Sequence, residues 1–281
     1  MLHLSIRLIL AFAVLCSIVL YNPQSTSLPE TLPDDPARED LGRVVYPSVK
    51  KIPWRPHFIL PDESLERLFG DRWVWVARFN WVDRRHAYPG MTIKVPLNLE
   101  DIADYKPLAD VYEKAKPYRK YILVDVTEQW IGAYEYGKLK FSMPAATGKP
   151  KYETPTGMFR VDARDRQHLS SLYDTGDGKS KYPMDYAIRF HIGSDDIAYW
   201  IHARDMPGRP ASHGCIGLFD EGMQKRIYEM PFEPVLDDAK KRYEWAVGGE
   251  ENGFDTGGAQ LVQNGPVVEV SGTLPVYLRF P

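Results

Sequence analysis

Trp200-Ile201-His202-Ala203-Arg204-Asp205-Met206-Pro207-Gly208-Arg209-Pro210-Ala211-Ser212-His213-Gly214-Cys215-Ile216-Gly217-Leu218 holds most of the chemical information in this chain. The run Ile197 to His202 reads as a short apolar strand. Pro207, Gly208 and Pro210 break it into a loop, and apolar residues resume after Cys215. A thiol becomes a useful nucleophile when a base and nearby donors favour its thiolate. Here the cysteine directly follows a glycine, where the backbone can turn tightly. Consecutive amides at such a turn can stabilise an oxyanion. His202, at the end of its strand, can approach the same point across the intervening loop.

Working outward, the flanking segments read as strands. Tyr121 to Val126 is apolar and β-branched, Trp130 to Tyr136 alternates, and Tyr136-Gly137 turns into Lys138 to Phe141. Further short strands are expected at Gly157 to Asp162 and Tyr186 to His191, and at the end in Val267 to Val270 and Val276 to Phe280. Helices are expected at Glu221 to Tyr228 and Asp237 to Trp245, followed by a loop from Gly248 to Gly258. Short strands punctuated by Gly and Pro predict a mostly β domain. Two further stretches carry a pattern of their own: Ala146-Thr147-Gly148-Lys149, and Glu153-Thr154-Pro155-Thr156-Gly157-Met158-Phe159.

Together these motifs resemble the L,D-transpeptidase family: a Thr-Gly and Thr-Pro-Thr-Gly-x-Phe run, then a strand histidine, then Ser-His-Gly-Cys and a branched apolar residue. The resemblance implies a β-sandwich catalytic domain with few helices, spanning 119–281 with an insertion at about 233–264. It implies Cys215 as nucleophile and His202 as acid/base, with the Ala203 carbonyl fixing the imidazole tautomer. His213, Gly214 and Cys215 would supply oxyanion-hole amides, with Ser212 supporting the turn. The family usually carries arginine two positions after the cysteine, where this chain has Gly217. That leaves Arg204, Arg209 and Arg189 as candidates for holding a substrate carboxylate. The implied reaction captures a peptidoglycan stem tetrapeptide as a thioester and passes it to an amine, with no cofactor. Water as acceptor would give an L,D-carboxypeptidase, and a relic of the fold would be a non-catalytic peptidoglycan-binding protein.

A Cys/His zinc site from His191, His202, His213 and Cys215 is the chemical rival, but their spacing matches no compact zinc motif and no metal is expected. Ser212 as a classical serine nucleophile is disfavoured by the thiol three positions on. For His168 and His191 a buried, hydrogen-bonded ring is the favoured reading.

The N-terminal third reads differently. Leu8 to Leu20 is an apolar run of secretory length, so residues 1–21 are expected to be a signal peptide or a membrane anchor. The product is then exported, to periplasm or cell wall, with residues 2–21 as a possible tie to the inner membrane. Cys16 lies in that run, so Cys215 is the only other thiol and has no partner for an internal disulfide. Residues 22–56 carry seven prolines among polar residues and read as an extended linker. In 57–97, Asp62 is a plausible helix N-cap, and the order acidic-Ser-Leu, Phe79-Asn80, then Pro89-Gly90-x-x-Ile93-x-Val95-Pro96 resembles a LysM repeat. That resemblance implies a small α+β module binding glycan chains, with Trp73, Trp75 and Trp81 available for stacking on sugars. Residues 98–118 read as a connector. The formal net charge of −3 over 281 residues offers no basic field for nucleic acid.

Overall fold

The computed structural model describes residues 43–45, 52–175, 178–248 and 258–279, and its N-terminal segment holds three strands and two α-helices. The export segment 1–21, the first part of the linker and residues 249–257 of the insertion lie outside the described residues. β1 (Arg43–Val45) is followed by β2 (Trp54–Phe58), α1 (Leu65–Phe69), α2 (Trp73–Asn80) and β3 (Thr92–Pro96). The extended-linker reading therefore stops short of residue 56: β2 pairs antiparallel with β3, and β1 pairs with the C-terminal strand. The α1 N-cap is Ser64, whose Oγ accepts from the Arg67 amide at 3.3 Å. Asp62, expected in that role, instead accepts from Arg67 Nη1 through its carbonyl. Asn80 fastens α2 to β3, its side chain accepting from Lys94 N at 2.7 Å and donating to Lys94 O at 2.8 Å. Trp81 and Trp73 are buried, the former 2% exposed, so both serve packing and only Trp75 reaches partial exposure.

The remaining chain forms two five-stranded sheets. The strands are β4 (Tyr121–Asp125), β5 (Trp130–Glu135), β6 (Lys138–Pro144), β7 (Gly157–Arg160), β8 (Ala163–Asp174), β9 (Lys181–Ile192), β10 (Ala198–Ala203) and β11 (Ile216–Leu218). After helices α3 (Glu221–Tyr228) and α4 (Asp238–Val247) come β12 (Gln260–Leu261), β13 (Val267–Ser271) and β14 (Tyr277–Arg279). One sheet runs β6-β5-β4-β13-β7 and the other β11-β10-β9-β8-β12. Ile122, Val124, Ile131 and Met143 of the first meet Ile188, Phe190, Ile201, Ile216 and Leu218 of the second, with Ala239 and Tyr243 of α4 joining them. This is the expected mostly β sandwich. The 12-residue strand β8 was not legible, because Arg164, Asp165, Arg166, Gln167 and His168 hide its alternation.

Residues 39–281 form one compact unit. A second apolar cluster runs without a break from Ile59, Leu65, Val76 and Phe79 to Tyr121, Trp130, Ala146 and Phe219. Edge-to-face contacts link Phe79 to Tyr105 and Tyr105 to Trp130 at 5.2 and 5.4 Å between centroids. Two ion pairs cross the same junction, Arg78–Asp238 and Arg84–Glu221, each at 2.6 Å.

Candidate active site

Register places the two candidate residues. β10 and β11 run parallel, pairing Ile201 with Ile216, His202 with Gly217 and Ala203 with Leu218. Since Ile201, Ala203, Ile216 and Leu218 all enter the sandwich core, the alternate residues face outward together. Those are His202 and Gly217, with Cys215 one step before the paired stretch. Cys215 packs there against the small cluster of Ala163, Met184, Ala187 and Trp200.

His202 is 2% exposed, and its Nδ1 donates to the Ala203 carbonyl at 2.6 Å. That bond fixes the tautomer and leaves Nε2 as the ring atom able to take a proton. Burial, reinforced by the charge of Arg204, brings the His202 pKa down to about 3, so the ring is neutral near neutral pH. Burial likewise pushes the Cys215 thiol up, although a backbone hydrogen bond at Trp200 and the charge of Arg204 pull the other way. Both shifts favour a neutral thiol and a neutral imidazole over a thiolate–imidazolium pair. Alkylation of Cys215 by a small neutral reagent is therefore expected to rise with pH, with a midpoint above that of an ordinary cysteine and no plateau near pH 7. His202→Gln should leave that profile nearly unchanged, and a flat, fast rate at neutral pH would contradict the neutral pair.

The turn carrying the thiol depends on Gly214, whose φ is +112°. A Cβ there would also meet the Tyr199 ring at 2.5 Å. Ser212 Oγ donates to the Cys215 carbonyl at 2.5 Å and accepts from the Gly214 amide at 3.0 Å. The Gly214 N–H is directed at Ser212, so among the three expected oxyanion amides those of His213 and Cys215 are the ones left to face a ligand. The His213 ring stacks on Tyr173 at 4.6 Å and meets Tyr152 edge-on at 4.4 Å. Burial, with Lys149 and Arg204 nearby, lowers its pKa. Neither tyrosine was a candidate in the sequence, which carries no local signal for them.

The Thr-Gly and Thr-Pro motifs are the floor of this turn. Ala146 and Gly217 exchange two backbone hydrogen bonds at 2.9 Å, and Lys149 N donates to Ser212 O at 3.0 Å. Buried Gln129 donates to Thr147 Oγ1 at 2.6 Å and accepts from Thr147 N at 2.8 Å. Thr154 Oγ1 accepts from Gly148 N at 2.9 Å. Gly148 is obligatory, because a Cβ would lie 2.0 Å from the Tyr152 carbonyl oxygen.

The loop between His202 and Cys215 is held from the N-terminal segment. Asp83 N donates to Met206 O at 2.8 Å, Gly208 N to Trp81 O at 3.0 Å, and Met206 N to Asp83 Oδ2 at 2.7 Å. Gln224 Nε2 bridges Asp83 and Asp205 at 2.7 and 2.9 Å. Asp83, His86 and Asp205 bring ligand-type atoms within 4.8 Å of one another. Their carboxylate oxygens all accept from protein donors: His86, Met206 and Gln224 on Asp83, and Arg85, Gln224, Tyr182 and Tyr228 on Asp205. The cluster is a hydrogen-bonded clamp.

Burial works against the Asp83 charge, yet the bonds from His86, Met206 and Gln224 hold its pKa below the ordinary carboxylate value. His86 is also opposed by burial, and Asp83 raises it above the ordinary histidine value. A depressed acid contributes above its unfolded pKa, and a raised histidine contributes fully below its own, so the clamp is strongest between about pH 4 and 6.5. Asp83→Ala is expected to cost about 3 kcal/mol in denaturant unfolding, as for a broken buried pair. The cost should be largest in that window and shrink on either side. A pH-independent difference would remove the charge from the explanation.

Of the remaining candidates, Arg204 lies across Gly217 and donates Nη2 to the Ala211 carbonyl at 3.0 Å. Arg209 sits half-buried in the loop. Arg189 is taken by Asp162 at 2.8 Å.

Residues 119–250 match the family model for YkuD, the L,D-transpeptidase catalytic domain. No curated protein matches the chain. Among solved structures, the L,D-transpeptidase (Yku) of Stackebrandtia nassauensis is similar at 18% identity, covering 74% of this chain and 69% of that one, with a TM-score of 0.39. Mycobacterium tuberculosis L,D-transpeptidase 1 is similar at 20% identity over 55% of this chain and 62% of that one, with a TM-score of 0.34. The catalytic domain of the E. faecium L,D-transpeptidase aligns at 21% identity over 54% of this chain and 96% of that one, with a TM-score of 0.29. Over residues 119–250, then, the chain is similar to the L,D-transpeptidase catalytic domain.

Proposed function

We propose that this chain is a peptidoglycan L,D-transpeptidase that works through a thioester on Cys215. The observation that carries the reading is the shared outward face of β10 and β11, with His202 locked at Nδ1 and neutral on one strand and the Gly214–Cys215 turn leading into the other. In the forward step the Cys215 proton passes to His202 Nε2 as sulfur attacks the carbonyl of the third stem residue. The amides of His213 and Cys215 receive the oxyanion. Collapse breaks the amide, and the departing D-residue amine takes the proton back from His202. An amine on a neighbouring stem peptide then attacks the thioester and frees the thiol. The energy of the first amide is conserved in the thioester, so no nucleotide is required. Water as acceptor makes the same enzyme a carboxypeptidase.

The apolar run Leu8 to Leu20 supports export, with action in periplasm or cell wall. Glycan binding by residues 57–97 is supported by their strand–helix–helix–strand order. The test is mass spectrometry of the full chain after incubation with disaccharide tetrapeptide. The expected adduct has the mass of the donor less its terminal residue, on Cys215. No adduct on a thiol that still alkylates would overturn the reading.

A further inference from the structure

Just past the end of β10, a second polar side chain follows His202 on the same side. Arg204 stays in register, its amide donating to Leu218 O at 2.9 Å, so it projects on the same side as His202 two residues earlier. Its side chain turns back across Gly217. A Cβ at Gly217 would lie 2.4 Å from Arg204 Cδ, 2.7 Å from Cβ and 3.0 Å from Cγ. The volume that any side chain at 217 would need is thus filled by the stem of Arg204.

The head group is under-used. Four arginines around the site end on carboxylates: Arg84 on Glu221, Arg85 on Asp205, Arg189 on Asp162 and Arg226 on Asp185; fully buried Arg242 instead donates to the Tyr186 and Ile201 carbonyls beneath the sheet. Arg204 makes a single bond, to the Ala211 carbonyl, and has no carboxylate partner among the described residues. Its Nε is buried without an acceptor. A buried donor left unmatched is costly, and such groups persist where a ligand completes them. A guanidinium fork matches a carboxylate in two parallel hydrogen bonds.

We propose that Arg204, laid over Gly217, is the receptor for the free terminal carboxylate of the donor peptide. The inference rests on the transpeptidase reading above, which supplies the carboxylate: it belongs to the residue expelled when the thioester forms, one residue beyond the attacked carbonyl. Two strand positions separate Arg204 from His202, about 6.6 Å of rise, which one extended residue of about 3.5 Å and the long arginine side chain cover together. Arg204 would position the donor and select chains that end at that residue, while His202 and Cys215 carry out bond exchange. Gly217 is then a specificity-determining position, because it is the only residue type that leaves the guanidinium stem its track.

The test compares thioester formation by two donors, a stem tetrapeptide with a free terminal carboxylate and the same peptide with a terminal amide. In the unmodified protein, amidation should lower acylation efficiency at least about tenfold, the scale of a charge-assisted hydrogen bond lost. Arg204→Gln should lose a similar factor on the free acid and no longer distinguish the two donors. Arg204→Lys should restore part of the preference. Gly217→Ala should mimic Arg204→Gln by displacing the stem. If that variant does not fold, the Gln and Lys series decides alone. An acid-over-amide preference that survives in Arg204→Gln would overturn the proposal, because a purely structural arginine lowers both donors equally. Acylation by neither donor in the unmodified protein, with Cys215 still open to alkylation, would instead overturn the transpeptidase reading beneath it.

Discussion

Cys215→Ala is expected to reduce turnover to the uncatalysed background, with no covalent adduct detectable after incubation with donor. The effect should be total because a two-step acyl transfer has no route without the atom that carries the acyl group. The fold should survive. Cys215 sits at the edge of the small cluster of Trp200, Ala187 and Met184, and removing one sulfur there costs about 1 kcal/mol. Unfolding curves should therefore nearly superimpose on those of the unmodified protein while activity is absent. Near-normal turnover in this variant would remove Cys215 from the chemistry and reopen Ser212 as the nucleophile.

The second large effect is expected at His202. Glutamine keeps the approximate volume and can still donate to the Ala203 carbonyl, but it cannot accept a proton at neutral pH. Acylation should fall by about a hundredfold or more, in the range of general acid–base catalysis. The pH dependence offers an independent check. Because the His202 pKa lies near 3, lowering the pH from 7 to about 5 leaves its Nε2 unprotonated, and acylation should not be lost through this residue. An acid limb near pH 6.5 that disappears in His202→Gln would show that the ring titrates like an ordinary histidine. Unchanged turnover in the variant would shift the base role to His213, on the rim between Tyr152 and Tyr173.

Much of this site was legible from local chemistry. Gly214 is glycine because the turn needs φ of +112° and Tyr199 fills the space of a side chain, and Ser-His-Gly-Cys announces such a turn in four residues. The strand ending in His202 was visible as an apolar run, and helix α3 was expected at the residues it occupies. The commitment of the Gly214 amide was not visible, because it depends on which way the Ser212 hydroxyl points. Nor was strand β8, whose exposed charges mask a two-residue period.

Sequence by itself determined the mostly β class and the motif order, and it singled out Cys215 and His202 as candidates, since each rests on residues adjacent in the chain. Tertiary structure decided what those groups experience. His202 is neutral because burial and Arg204 oppose its charge, a property of its surroundings that no spacing encodes. The Asp83 clamp joins residues more than a hundred positions apart, and the meaning of Gly217 rests on an arginine from the neighbouring strand. Local patterns specify backbone shape because each turn or strand is satisfied by its own neighbours. Long-range packing and electrostatics depend on which surfaces meet, and only the folded chain brings those surfaces together.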